Sequence, residues 1–331
     1  MSLICKMRLT IGRLVVEELE QFAVTLLPQS FGYRCKVHLP YLHLNRQAGL
    51  EPHLTFDAPM QLDCWYEGYP VVRVFDGWVR QVSPNVPLVV EGDTVPWALQ
   101  SRMLRRLYND YVGVERALRD CVAGTGVDIR FENVPALRFN KLRVDQTRAV
   151  IIHQICQYYG LDVRTEAGQV VVRPKYWSRG QEVIYDTAEN VSATELVYRT
   201  RMTGPKAVKA IGFRPDGDRL VETVGEQLGV IETHFFYNVQ DRDALRKLAE
   251  AKLKMLTQEG YTGFFTGWLY PVCMPGDTVL LRDRSETGRV GKYRCDDVTL
   301  TFGTMAGFER RINLGLKLAN LQSIDLAINE L

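Results

Sequence analysis

"MPGDTVLLRDRSETGRVGKYRCDDVTLTF", residues 274–302, decides how this chain is read. It holds a Gly-Asp turn, a run of charges, a Cys beside two Asp and a strand-like stretch. It is either a place where chemistry happens or part of a scaffold. Pro275-Gly276-Asp277 has the composition of a turn that opens a strand, because Pro presets φ and Gly accepts φ > 0. The charged run 282–289 then reads as a hairpin tip, with Gly288 and Gly291 serving its bend. Asp296 and Asp297 follow on the returning strand. Successive strand side chains point to opposite faces, so the two carboxylates cannot work as a catalytic pair. Each is expected to face solvent or support a turn.

Further along the chain, Arg310, Ile312, Leu314 and Leu316 alternate with Glu309, Arg311, Asn313 and Gly315, a clean period of two. Beyond them Leu321, Ile324, Ile328 and Leu331 are spaced helically, and this short tail is expected to dock on its own chain, or else on a partner, since short lone helices are marginal in water. Upstream, strands are expected at 262–271 and 277–283. One helix at 241–258 has the apolar stripe Leu245, Leu248, Ala249, Leu253 and Leu256. Four more strands precede it, with "PDGD" at 215–218 as a hairpin turn. Residues 178–318 thus read as a small antiparallel β-barrel interrupted by a helical insertion at 238–261, and 319–331 as a tail.

The N-terminal part reads in the same way. "GYRCKVHL" and "MQLDCWY" place Cys35, Val37 and Leu39, and Met60, Leu62, Cys64 and Tyr66, on apolar faces. Gly77 interrupts the pattern "VVRVFDGWVRQV", the mark of a bulge or a tight barrel corner. Residues 1–95 are expected to form a first β-barrel, with 45–59 as its long loop. Residues 96–177 differ. Val114, Ala117, Leu118, Cys121 and Val122 share one helix face, and "GTG" at 124–126 stops that helix. Asp145 suits the N-cap of a second helix ending at Gly160, and a strand hairpin follows. The fold class is α+β, mainly β: two small barrels flanking an α/β module.

Composition narrows the function. Forty-one Lys and Arg face 39 Asp and Glu across 331 residues, without the basic stripe of a dedicated nucleic-acid binder. No stretch is long and apolar enough to span a membrane, and no signal peptide is expected. The seven Cys are scattered with no CxxC. They are expected to be reduced, and Cys5, Cys35 and Cys64 to act as small core hydrophobes. "GTGVDI" follows a helix and precedes a strand, the wrong order for a dinucleotide fingerprint. His38, His43 and His53 lack metal-site spacing, His153 and His234 are isolated, and "RMLRRLY" at 102–108 reads as a solvated strand face. No catalytic, cofactor-binding or metal-ligating residue is assigned.

The order of these parts resembles phage tail baseplate hub proteins of the late-control D family, related to the N-terminal hub part of VgrG-type spikes. Three stretches carry the likeness. Phe75, Gly77, Val79 and Asp93 match a strand–"F-x-G-x-V"–strand unit. "QICQYYGLDVRTEAGQVVVRP" matches a helix–Gly–strand–turn–strand module. Pro275, Gly276, Asp277 and Val279, then Gly291 and Tyr293, match a "P-G-D-x-V … G-x-Y-x-V" hairpin, followed by a strand ending "INLG" at Gly315. Asp296 stands where the family commonly has a β-branched residue.

The resemblance implies a virion structural protein of the tail baseplate, assembled in the bacterial cytoplasm, with no enzymatic activity and no membrane anchor. Three copies would form a ring that adapts a hexameric tail tube to a trimeric spike, with 1–95 docking the tube. DNA would pass through its channel without sequence-specific binding. The partners implied are a second and third copy of the chain, a tail tube protein and a spike protein. A hub of a type VI secretion or extracellular contractile injection system is the alternative. A carbohydrate-active β-protein is a third reading, which would need two carboxylates about 5–10 Å apart in a cleft.

Overall fold

A computed structural model of the chain describes residues 3–27, 30–40, 54–84, 86–108, 112–134, 136–139, 142–174, 179–199, 205–213, 218–226, 228–237, 242–257, 259–283 and 290–320. The protein is mainly β. Seven strands form its first part: β1 (Cys5–Ile11), β2 (Leu14–Val16), β3 (Gln21–Leu26), β4 (Tyr33–Leu39), β5 (Pro59–Tyr66), β6 (Val72–Ser83) and β7 (Leu88–Asp93). They hydrogen-bond in the order β2-β1-β5-β6-β7-β4-β3, all antiparallel. Met7, Leu9 and Ile11 of β1, Cys35, Val37 and Leu39 of β4, and Met60, Leu62, Cys64 and Tyr66 of β5 enter one core. Each such side chain contributes about 1.5–3 kcal/mol on burial. A one-residue slip would turn a whole strand's set outward, so burial fixes the register.

A middle module follows: α1 (Trp97–Ser101), β8 (Met103–Tyr108), β9 (Val112–Gly113), α2 (Val114–Val122), β10 (Ile129–Phe131), β11 (Arg138–Phe139), β12 (Leu142–Thr147), α3 (Arg148–Tyr158), β13 (Leu161–Glu166) and β14 (Gln169–Pro174). Ala117, Leu118 and Cys121 of α2 pack with Ile151, Ile152 and Ile155 of α3 over Val163, Val170 and Val172. Gly124 and Gly126 take positive φ where α2 stops. The start of α3 differs from the expectation. Asp145 lies in β12, where it accepts a 2.8 Å hydrogen bond from Arg105 Nε on the paired strand β8, and Thr147 is the N-cap residue. The cross-strand cation holds the carboxylate in the sheet. Arg106 similarly pairs with Asp120, and Arg102 donates to the Gly124 carbonyl. "RMLRRLY" is therefore an ion-paired strand.

The last part contains β15 (Glu182–Asp186), β16 (Val191–Arg199), β17 (Ala207–Phe213), β18 (Arg219–Gly225), β19 (Ile231–Tyr237), α4 (Arg242–Leu256), β20 (Gly260–Gly267), β21 (Thr278–Arg282), β22 (Gly291–Gly303) and β23 (Gly307–Asn320). β22 and β23 run 13 and 14 residues, about twice the common strand length. At one end of this hairpin Tyr293, Cys295, Ile312 and Leu314 join Tyr185, Phe265, Val279 and Leu281 in a core of their own. At the other end Leu300, Phe302 and Phe308 enter the core of the first part. Register shifts between Lys292 and Asp297 bend the ladder along the way. β22 also pairs with β3.

One thirteen-stranded sheet therefore covers two cores. Two small barrels, closed or nearly closed, were expected, and the strand ladders of the described residues display no closed barrel. Among the described residues the pairings run as an open path from β16 to β2. The shared hairpin is the reason, because hydrogen bonds cross the boundary that would have separated two barrels.

β17, β18 and β19 stay out of this sheet. They pair in the order β18-β17-β19, with β17 and β19 parallel. Val208 and Ala210 of β17 pack on Leu245 and Ala249 of α4. The insertion is thus three strands and a helix, larger than the helical segment 238–261 expected. The apolar stripe of α4 needs a partner, and these strands supply it. Leu248 is 43% exposed and lies off the stripe. Most of the long loop (41–53), the turn residues 214–217, the hairpin tip 284–289 and the tail 321–331 lie outside the described residues.

Candidate assembly junction

The three parts meet at a small polar cluster. Tyr33 comes from β4, Arg164 from β13, and Asp296 and Asp297 from β22. Arg164 Nη1 donates to Tyr33 Oη at 3.0 Å, its Nη2 to the Asp296 carbonyl at 2.9 Å and its Nε to Asp162 Oδ2 at 3.0 Å. Tyr33 Oη in turn donates to Asp297 Oδ1 at 2.7 Å. One guanidinium so bonds a strand from each part. Burial, and then the charge of Asp297 with its hydrogen bond, push the Tyr33 phenol well above its ordinary range, so it stays a donor. Burial works against the Arg164 charge, but Tyr33, Asp162 and Asp297 outweigh it and raise its pKa. Beside the cluster opens a cleft of about 960 Å³, whose lining includes Arg164, Arg173, Arg179, Met274 and Pro275. Its charges are matched internally: Arg173 pairs with Glu132 and Glu166, and Arg179 lies 3.7 Å from Asp277.

The residues quoted for the hairpin motif build a turn beside this junction. Pro275 and Gly276 occupy the centre of a tight turn closed by Asp277 N donating to the Met274 carbonyl at 3.0 Å. Gly276 has φ +92°, the conformation a type II turn demands at that position. Asp277 is fully buried, and its Oδ2 accepts from Met274 N at 2.7 Å. Reciprocal bonds of 2.8 Å, Gly276 N to the Cys295 carbonyl and Cys295 N to the Asp277 carbonyl, lock the turn to β22. Gly291 opens β22 opposite Leu281. Tyr293 is buried, its hydroxyl accepts from Tyr261 N at 3.0 Å, and burial pushes its pKa up to about 12. At Gly315 a Cβ would sit 2.1 Å from Asp296 Oδ1.

Phe75, Gly77, Val79 and Asp93 make a second support, inside the first part. Gly77 lies between two irregularities of β6, at Leu62/Asp63 towards β5 and at Val79/Gln81 towards β7. A Cβ there would meet the Asp93 carbonyl oxygen at 2.5 Å. Asp93 is buried and accepts from Arg34 Nε at 2.9 Å. Phe75 and Val79 belong to the core. The two supports do not form a single site. They brace the sheet at separate places.

Sequence reasoning missed three buried polar contacts, two of them at the junction. Asp297 was expected at solvent or a turn, yet it holds Tyr33. Asp296, by contrast, is half-exposed and takes a 2.7 Å bond from Arg294. Arg164 left no local sign. Arg310 did leave one, standing in phase with Ile312 and Leu314. It is buried, donates to the Cys273 carbonyl at 2.9 Å, and burial lowers its pKa. Among the described residues no group of three His, Cys, Asp or Glu is placed to hold a metal ion, and His43 and His53 lie outside them. No described helix is long and apolar enough to cross a membrane. All seven cysteines are free, six of them buried.

Comparison with known proteins gives a consistent fold. The chain superposes on the tail protein from Neisseria meningitidis MC58 with a TM-score of 0.65 at 16% identity, over 95% of this chain and 97% of that one. It superposes on the 43 kDa tail protein of prophage MuSo2 from Shewanella oneidensis with a TM-score of 0.64 at 13% identity, over 94% and 98%. An E. coli component of the type VI secretion system gives 0.55 at 10% identity, over 93% and 76%. No protein-family model matches the chain, and no curated protein matches it. Phage tail proteins and a secretion-system component thus share this fold along almost the whole chain.

Proposed function

We propose that the protein is a structural hub of a phage or phage-like tail baseplate. Three copies form a ring, each contributing its two β parts, so that six similar faces meet a hexameric tail tube and a three-fold face meets a trimeric spike. Closed cyclic symmetry lets each interface satisfy only its own order, and a duplicated fold in triplicate bridges the mismatch. In the ring the two halves of the thirteen-stranded sheet act as two barrel-like units, with residues 1–95 towards the tube. DNA passes through the central channel unread, in keeping with a chain of net charge +2.

The observation that carries this reading is the whole-chain likeness to tail proteins, joined to two β cores lying under one sheet. The likeness to a secretion-system component keeps a hub of such a machine as a second reading. The junction around Arg164 fits an assembly role, because its charges are consumed in fixing the parts. Light scattering tests the proposal. A ring of three 37.8 kDa chains would weigh about 113 kDa, with interfaces burying at least ~1,000 Å² each. A protein that stays monomeric at every concentration, and when mixed with its tube and spike proteins, refutes it. Electron microscopy of assembled particles separates the phage and secretion readings.

A further inference from the structure

The two β parts repeat one plan. The pairing order β3-β4-β7-β6-β5 recurs as β16-β20-β23-β22-β21, every pair antiparallel and the strands visited in the same sequence. The likeness reaches the turns. Asp57 N donates to the Val79 carbonyl and Val79 N to the Ala58 carbonyl, both at 2.9 Å. Gly276 and Asp277 make the same reciprocal bonds with Cys295. Asp57 and Gly276 both take positive φ, 66° and 92°. Just past Val79 the ladder to β7 skips Arg80, and just past Cys295 the ladder to β23 skips Asp296. Val79 and Cys295 are therefore equivalent positions. The plans part at β15, which pairs parallel with β21 where β1 pairs antiparallel with β5.

One junction of this plan is filled within the chain, and its counterpart is open. β22 gives its first residues to β21 and its last, Leu300–Gly303, to β3. There Phe302 and Phe22 stack with ring centroids 5.8 Å apart. The counterpart of β3 is β16, and that of β22 is β6. Among the described residues β16 pairs with β20 alone, and the edge of β6 that holds β5 has no strand partner along Arg80–Ser83. Natural sheet edges are commonly short or armed with Pro or Lys, which prevents pairing. β16 is nine residues long with neither residue, and Ser192–Glu195 are all exposed. Val197 is 65% exposed. Val86, at the tip of the β6–β7 hairpin, is 76% exposed, and counted from the two anchors it stands where Phe302 does.

We infer that β16 of one copy receives the β6–β7 hairpin of the next copy on its open edge, antiparallel, with Ser83 opposite Val197 and Gln81 opposite Arg199. This rests on the ring of three copies proposed above and names the strands that close it. The register comes from the internal junction. The paired row Val79–Gly92–Cys35–Val24 matches the row Cys295–Leu314–Gly263–Leu196. Leu196 thus takes the place of Val24, which faces Leu300. β6 ends four residues past its anchor where β22 ends eight past, so the contact meets the later half of β16. Within one chain the two halves already join through β22 and β3, so β16 and the end of β6 need a second copy. Such a contact is heterologous, as closure of a three-fold ring requires.

Cross-linking of the full chain tests this. Ser83→Cys and Val197→Cys are combined in one chain, which is oxidised mildly, alone and mixed with its tube and spike proteins. Directly opposed strand residues lie within disulfide reach. Covalent two- and three-chain products on a denaturing gel should exceed those of either single variant at least roughly tenfold, and peptide mapping should find the 83–197 bond between chains. Should this pair fail to fold, Gln81→Cys with Arg199→Cys, both exposed positions, reads the same register. Light scattering on the same samples separates the outcomes. A ring of three that forms without the bond, or a bond only within one chain, overturns the pairing and leaves the hub reading standing. A protein that stays monomeric in every mixture overturns both.

Discussion

Replacing Arg164 by Met removes a group that bonds all three parts while keeping much of its volume. The side chain is 16% exposed and makes three hydrogen bonds, and its partner Asp162 is 17% exposed. Hydrogen bonds to charged groups are each worth about 1.5–3 kcal/mol, and breaking a buried pair costs about 3–5 kcal/mol. Asp162 keeps some solvent, so the expected loss is ~3 kcal/mol, at the lower end of that range. Tyr33→Phe deletes the donor to Asp297 and the acceptor for Arg164, an expected loss of about 1–1.5 kcal/mol. The two groups share a bond, so the double variant should lose about 1 kcal/mol less than the singles combined. Urea unfolding followed by fluorescence measures this, because Trp65, Trp78, Trp97 and Trp268 report on all three parts. The Arg164→Met curve should also broaden or split as the parts uncouple. A loss below ~0.5 kcal/mol, or singles that simply add, would refute the view that this cluster couples them.

Two glycines test backbone against side-chain crowding. Gly77→Ala drives a Cβ to 2.5 Å from a backbone carbonyl and should cost about 1–3 kcal/mol, read as a lower Tm, with an unchanged Tm as the contrary result. Gly315→Ala first meets the half-exposed Asp296 carboxylate, a side chain that can move more readily than the backbone carbonyl facing Gly77. It should therefore cost less than Gly77→Ala, and the reverse order would contradict the argument. Burial raises the pKa of Asp277 above its ordinary 3.8, outweighing the Met274 hydrogen bond and the charges of Arg179 and Arg310. A carboxyl that holds its proton more tightly when folded favours the folded state at low pH, and this contribution fades as pH climbs from 3.8 through the folded-state value. The stability of Asp277→Asn relative to the unaltered protein should therefore rise across that window, and denaturation midpoints showing a flat difference would count against it.

Local order was legible where the alternation reported burial on one face. Met60, Leu62, Cys64 and Tyr66, and the turn at Pro275-Gly276-Asp277, lie where their spacing put them. Strand partners were less legible. The strands 207–237 alternate like those of the main sheet, yet among the described residues they pair with one another, because periodicity shows which face is buried and says nothing of the neighbour. Asp145 has the chemistry of a cap, but Arg105, distant in sequence, holds it in a strand. The junction was least visible. Arg164 bonds partners 131 and 132 positions away, and no local pattern encodes such a meeting. Arg310 was the exception, a cation in phase with core residues, and its burial follows from that phase.

The hairpin of β22 and β23 has a mechanical consequence. Tension that draws the two cores apart along its length loads the rungs of the ladder in shear, so many must rupture together rather than unzip in succession. A machine component built this way yields abruptly at a high threshold and stays stiff below it. The bulges between Lys292 and Asp297 are where such a tie would first stretch.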